Sequence, residues 1–297
     1  MQSPPPSQPG LAIGKQEACQ KGIDRVLCPT IEIASKSEGG TMLKLFPILL
    51  SAVVILFCEQ VPGAPPCEAS SADSGQSEKP APKAKPWPVP MPEIWVKHYE
   101  KRVEEFKAEN AGLPSERKNV VFVGDSITEG YPLERYFPGR PALNRGIISD
   151  GIGFDERGVL NRMDSSVFDC NAKAVFLLIG VNDLPHDWVT VEECLDGYRE
   201  IVRQIRKRLP ETQLVLQTLL PTGERYKKHA YLNPRIEQFN TALSTMAKEQ
   251  SIPLIDLHAL YRDEQGMLPA DLTRDGLHLL PEAYAPWAEK AASFMKP

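Results

Sequence analysis

The period of the hydrophobic positions changes several times along the chain. In 93–109, Trp95, Tyr99, Val103 and Phe106 recur at helical spacing, which predicts an amphipathic opening helix. Short apolar runs then alternate with helical patterns. The runs 119–123, 174–179, 213–219 and 253–257 are β-branched or Leu-rich, as strands buried on both faces are. A weaker run, second in chain order, is 141–146. Between them 155–166, 190–208 and 234–249 read as helices, and 281–294 closes the chain. In 190–208, for example, Val191, Leu195, Tyr198, Val202 and Ile205 form one apolar stripe. Strands alternating with helices predict an α/β fold, a five-stranded parallel sheet covered on both faces. Such sheets carry their sites at the carboxyl ends of the strands, so chemistry is to be sought just after each run.

The N-terminal third is built differently. Of the 28 prolines, 15 fall within the first 92 residues, where they break up any packed core. Residues 1–41 show little apolar periodicity. Met42-Leu43-Lys44 then leads into 45–58, fourteen residues without a charge. That run is too short to span a bilayer comfortably and suits the apolar core of an export signal. It predicts translation from Met42, with 1–41 an extension that is not made, 42–64 signal-like, and 65–92 a solvated Pro/Ala/Ser-rich linker. The folded domain is then 93–297. The expected location is periplasmic or secreted, held at the membrane only if the N-terminal segment stays uncleaved.

Composition narrows the class. With 42% apolar and 25% charged residues the chain is globular, which excludes a fibrous or largely disordered protein. A net charge of −5 offers no basic face for nucleic acid. Of six cysteines only Cys170 and Cys194 fall in the folded portion. An exported location allows one bridge between them, which is not a disulfide framework.

The strand ends carry four short blocks: Gly124-Asp125-Ser126-Ile127-Thr128, Asn144-Arg145-Gly146, Gly180-Val181-Asn182-Asp183 and, near the C-terminus, Asp275-Gly276-Leu277-His278-Leu279. Each alone is common; Gly-Asp-Ser by itself is usually a turn. Their order and their places at strand ends change that. A serine hydroxyl becomes a nucleophile when a histidine takes its proton, and the histidine needs an acid to hold its tautomer. Asp275 and His278 are three apart, so on a helical turn they share a face. Asp183 and Asp256 are the rival acids, and Asp256 reads better as a fold residue that accepts backbone N–H groups. A developing oxyanion needs several aimed donors. The backbone N–H groups of Ser126 and Gly146 and the side-chain amide of Asn182 are the candidates, Gly146 permitting close backbone approach.

With these four blocks in this order, the stretch 119–297 resembles the SGNH hydrolases, also called GDSL esterases and lipases. Ser126, Gly146, Asn182 and His278 match the four blocks of that family, with Asp275 as the acid. The segments Leu219-Leu220-Pro221-Thr222-Gly223-Glu224 and Gly180-Val181-Asn182 are similar to the platelet-activating-factor acetylhydrolase catalytic-subunit branch. The resemblance implies a flavodoxin-like three-layer α/β/α sandwich with strand order 2-1-3-4-5 and cofactor-free ester hydrolysis through an acyl-enzyme. One departure stands out. After Asn144-Arg145-Gly146-Ile147 that branch usually has a glycine pair, and this chain has Ile148-Ser149.

Other enzyme classes fit less well. An α/β-hydrolase would want Gly-x-Ser-x-Gly, and the fifth position here is Thr128. No Gly-x-x-x-x-Gly-Lys-Ser/Thr phosphate loop occurs. His98, His186, His229 and His258 are scattered, so no metal is expected. An O-acyltransferase using the same residues, and a catalytically silent lipid- or carbohydrate-binding protein, stay open as alternatives. The expected substrate is a small-molecule, polysaccharide or lipid ester, with acetylated carbohydrate and (lyso)phospholipid the named classes. Trp188, and Tyr226 in the loop 225–231, are the candidate substrate contacts.

Overall fold

A computed structural model of the chain describes residues 91–116 and 118–295. The expected extension, signal-like segment and all but the last two residues of the linker lie outside them. The chain opens with α1 (Glu93–Ala111), reaches β1 (Asn119–Gly124), and passes two single-turn helices, α2 (Ser126–Glu129) and α3 (Leu133–Tyr136), into β2 (Ala142–Gly146). A 3₁₀ turn (Val159–Asn161) and α4 (Met163–Ser166) lead to β3 (Ala172–Leu178). Then come α5 (Val191–Arg208), β4 (Gln213–Gln217), α6 (His229–Glu249), β5 (Leu254–Ile255), α7 (Leu257–Tyr261) and α8 (Ala285–Ala292).

The five strands are all parallel, in the order β2-β1-β3-β4-β5, the flavodoxin-like α/β arrangement that the resemblance implies. All six residues of β1 are buried, which is why its sequence is an uninterrupted apolar run. Phe122 and Phe176 are register partners and their rings stack at 4.7 Å. Tyr131 meets the edge of Phe122 at 5.4 Å, stacks on Tyr284 at 4.8 Å and lies 4.6 Å from Trp287, which brings the C-terminal helix onto this face. Truncating a ring packed like that of Phe122 costs roughly 3–5 kcal/mol. On α5 and α6, Tyr198 and Phe239 pack on each other at 5.7 Å. From β1 the chain adds β2 on one side and then crosses to β3 on the other. The crevice of this sheet therefore opens at the carboxyl ends of β1 and β3.

Several boundaries differ from the periodicity. The expected helix 155–166 is mostly bends, because Gly153 (φ 129°) and Gly158 (φ 97°) take conformations no helix tolerates; only the last turn is helical. The expected helix 281–294 divides into a 3₁₀ turn (Pro281–Tyr284) and α8. α6 begins at His229, taking in the end of the loop 225–231. The last strand shrinks to two residues because Asp256 caps α7 immediately afterwards, accepting Ala259 N–H at 3.0 Å. Cys170 and Cys194 are both buried and no disulfide joins them.

Candidate active site

β1 delivers the serine. Gly124 ends the strand where a Cβ would fall 2.1 Å from Thr128 Oγ1 and 2.3 Å from Leu178 O, so only glycine lets α2 fold back this closely. Asp125 caps α2, its Oδ1 accepting Ile127 N–H at 2.9 Å. Ser126 is the first residue of α2, so its own N–H belongs to the donors a helix leaves unpaired. Burial pushes the Asp125 carboxyl up to about 7 against the pull of the Ile127 N–H; the charge of Asp150 adds to the rise, and His278 and Arg162 oppose it.

The acid and histidine sit on a small loop, not on the helical turn that their spacing suggested. Thr273 and Leu279 form an antiparallel bridge, and Gly276 turns the chain at φ 82°. Asp275 Oδ1 accepts the backbone N–H of Leu277 (3.0 Å) and of His278 (2.9 Å), an Asx-type turn. Its Oδ2 lies 2.6 Å from His278 Nδ1. A carboxylate only accepts, so Nδ1 carries the proton and Nε2 is left as an acceptor. Ser126 Oγ lies 2.9 Å from that Nε2. Partial burial pushes Asp275 upward, but the backbone and ring N–H of His278 and the Leu277 N–H outweigh it and hold the carboxyl at about 2. Thr273 Oγ1 fixes the loop by donating to His278 O (2.7 Å) and accepting Gly276 N–H (3.0 Å). The side chains remain open to solvent, His278 at 39% and Asp275 at 52%, so an ester can reach them.

The rival acids are placed elsewhere. Asp183 is buried against the loop after β2, accepting Ile152 N–H at 3.1 Å, and burial raises its carboxyl. Asp256 accepts Thr218 Oγ1–H at 2.9 Å besides capping α7.

The donor set differs from expectation at one position. The Gly146 N–H is committed to Asn144 Oδ1 at 2.9 Å. The glycine is needed for another reason: a Cβ there would fall 2.1 Å from Glu129 N, so β2 can pass the end of α2 only at glycine. Asn144 Nδ2 meanwhile donates to Thr128 O at 2.8 Å, satisfying a carbonyl that the short helix leaves open. Beyond β2, Asp150 N–H bonds Ile147 O at 3.2 Å, closing a turn in which Ser149 sits at φ 59°. The Ser149 N–H is engaged by no other group among the described residues. Asn182 Nδ2 donates one hydrogen to Asp150 O at 2.9 Å, which orients the amide and leaves its second N–H. The Asp150 carboxylate is bound by buried Arg162 at 2.8 Å.

Of the two candidate substrate contacts, Tyr226 borders the acid–histidine loop. A Cβ at Gly276 would lie 3.1 Å from the Tyr226 Cβ, and burial, with the charge of Asp275 adding, raises the tyrosine hydroxyl. Trp188 packs edge-on against Phe154 at 6.3 Å. Sequence reasoning did not single out Ser149, Thr273 or Glu129. Glu129 Oε2 accepts Ile148 N–H at 2.6 Å, and His98 Nε2 lies 2.9 Å from its Oε1.

Residues 122–285, more than half of the chain, match the model of the GDSL-like lipase/acylhydrolase family. Platelet-activating factor acetylhydrolase IB subunit alpha2 of Rattus norvegicus is 28% identical over 172 residues, covering 56% of this chain and 71% of that protein. The subunit beta homolog of Drosophila melanogaster is 30% identical over 131 residues, covering 42% of this chain and 55% of its own. Among solved structures, a Streptococcus pneumoniae protein described as a platelet activating factor superposes with a TM-score of 0.61 at 27% identity, covering 69% of this chain and 95% of its own. A GDSL-like lipase from Bacteroides thetaiotaomicron shares the fold at a TM-score of 0.58 and 21% identity, covering 65% of this chain and 96% of its own.

Proposed function

The chain belongs to the GDSL-like lipase/acylhydrolase family and is an ester-bond hydrolase, and on that premise we propose that Ser126, His278 and Asp275 form its catalytic triad. The observation that carries this is the continuous hydrogen-bond line from Ser126 Oγ through His278 (2.9 Å to Nε2) to Asp275 (2.6 Å from Nδ1). Ser126 Oγ attacks the acyl carbonyl carbon as Nε2 takes its proton. The electron pair shifts to the carbonyl oxygen, which is held by Ser126 N–H, the second N–H of Asn182 and the Ser149 N–H. Ser149 thus takes the place expected of Gly146. The oxyanion collapses, the alcohol leaves with the proton from His278, and water repeats the sequence on the acyl-enzyme. Asp275 holds the ring in the tautomer this requires and steadies the imidazolium.

The substrate we propose is an acetyl or similarly short acyl ester of a carbohydrate or a lysophospholipid-like alcohol. The half-exposed Asp275 and His278 support an open groove that accepts a large alcohol. The relatives named as acetylhydrolases support a small acyl group. The test is an acyl-length series of p-nitrophenyl esters together with an organophosphonate probe. The acetate should give the highest kcat/KM, and the probe should label Ser126 and fail on Ser126→Ala. Undiminished labelling of the alanine variant would overturn the triad, and a preference for long chains would overturn the acyl size.

A further inference from the structure

We infer that His98, on a helix that precedes the family-matched stretch, is a positioning residue for this reaction, acting through Glu129 on the oxyanion turn 147–150. The inference rests on the hydrolase reading above. It starts from the strain in that turn. Ser149 sits at φ 59°, a conformation that non-glycine residues rarely hold unless their surroundings impose it. An oxyanion donor must also be aimed closely, since a misplacement of about 1 Å can cost roughly 10²-fold in rate. The turn therefore needs holding from outside.

Three groups hold it. Asn182 takes Asp150 O (2.9 Å), Arg162 takes the Asp150 carboxylate (2.8 Å), and Glu129 takes Ile148 N–H (2.6 Å). Arg162 is fully buried and bonds Gly124 O and Arg145 O besides, so it is fixed by the fold. Glu129 is different: its side chain is 18% exposed at the end of a single-turn helix, and its carboxylate could rotate toward water. His98 prevents that. Its Nε2 lies 2.9 Å from Oε1 and 3.1 Å from Oε2, and because a carboxylate only accepts, Nε2 is the protonated nitrogen. Arg102 adds its charge, with Nε 3.5 Å from Oε1.

The helix does not depend on His98 for its own attachment. His98, Arg102, Phe106 and Glu109 follow one face of α1 at helical spacing. The lower part of that face is secured by buried Arg145, which reaches Glu109 Oε2 at 2.6 Å and Asn110 Oδ1 at 2.8 Å and lies over the Phe106 ring. Arg145 stands beside Gly146 at the end of β2, so α1 grips the strand directly, and His98 is free to serve the turn beyond it.

The test is steady-state kinetics on p-nitrophenyl acetate with the full chain, alongside thermal melts. His98→Ala should lower kcat roughly 10- to 10²-fold with KM changed far less, in line with the cost of small misplacement. His98→Gln, whose Nε2 can reach the same carboxylate, should recover most of that loss. Glu129→Ala should match His98→Ala, and the double variant should be no worse than Glu129→Ala alone, because both act through one contact. Wild-type kcat in His98→Ala, additive losses, or an effect confined to the melting temperature would each overturn the inference. Ser126→Ala separates it from the reading beneath it. If that variant keeps its activity, the triad is wrong and the inference falls with it; if it is dead and His98→Ala is normal, only the inference fails.

Discussion

One carboxylate oxygen of Asp275 accepts two consecutive backbone N–H groups, from Leu277 and His278, while the other binds His278 Nδ1 at 2.6 Å. The acid thus shapes the loop that presents the ring and also sets the tautomer of that ring. Asp275→Asn keeps a backbone acceptor but can offer an N–H where an acceptor is needed, which favours the wrong tautomer. We expect kcat to fall by up to ~10⁴-fold with the serine still in place. Asp183→Asn and Asp256→Asn, whose carboxyls serve Ile152 and the α7 cap, should damage turnover far less. Kinetics on the three purified, folded variants rank them; near-normal turnover in Asp275→Asn alone would refute the assignment. The sign of its shift matters too. With a folded value of about 2, below its ordinary 3.8, Asp275 contributes above the unfolded value and is lost only as pH falls through about 2. No acid limb between pH 5 and 8 should come from it.

Asp125 shifts the other way. Its folded carboxyl stands at about 7 against an ordinary 3.8, so the folded state binds this proton more tightly than the unfolded one. The stability it contributes is complete below the unfolded value and is lost as pH rises through about 7. Asparagine can keep the cap on Ile127 N–H without the charge. The melting temperature of the wild type should therefore fall more between pH 5 and pH 8 than that of Asp125→Asn. Parallel pH profiles for the two proteins would count against a tightly held proton on Asp125.

Two neighbouring residues should respond in opposite directions to a change in size. Gly146→Ala places a Cβ 2.1 Å from Glu129 N, a backbone atom that cannot yield cheaply. Overpacking of this kind costs about 1–3 kcal/mol or more, so the variant should melt well below the wild type. Ser149→Gly removes a side chain from a residue at φ 59° and should melt at or slightly above the wild-type temperature. A marked drop in the glycine variant would mean that the Ser149 side chain makes a stabilising contact.

These residues also mark where the sequence was legible and where it was not. The buried strands were readable because 119–123 and 174–179 are unbroken apolar runs, and a strand covered on both faces needs them. Their spatial order, by contrast, came from the family resemblance, since strand order depends on long-range packing. The helix expected at 155–166 failed at Gly153 and Gly158, whose positive φ angles could have been suspected from glycine alone. Asp275 and His278 were found by spacing, but the Asp-Gly pair was the better clue to their geometry, marking a turn instead of a helix. Gly146 was rightly read as a site of close approach; the approaching backbone is that of α2, and a single sequence cannot say which neighbour comes near. Glu129 was out of reach altogether. Its partner His98 lies 31 positions away on another element, and no local pattern joins them.

Asn182 tests the electrostatic half of the mechanism apart from the nucleophile. One of its amide hydrogens is fixed on Asp150 O at 2.9 Å, which prevents the amide from flipping and aims the second at the crevice side of the strand ends. Asn182→Ala removes the proposed oxyanion donor and also frees the Asp150 carbonyl. The second effect alone is the loss of one hydrogen bond, about 0.5–1.5 kcal/mol of stability. The first should lower kcat roughly 10²–10³-fold with KM changed much less, because the charge on oxygen is largest in the transition state. The rate of Ser126 labelling by an organophosphonate should fall in parallel, since its phosphoryl oxygen would occupy the same donors. Measuring kcat, labelling rate and melting temperature on one preparation separates the two effects. If the variant loses melting temperature but its folded fraction turns over normally, Asn182 only braces the turn at Asp150, and the oxyanion must be held by Ser126 and Ser149 without it.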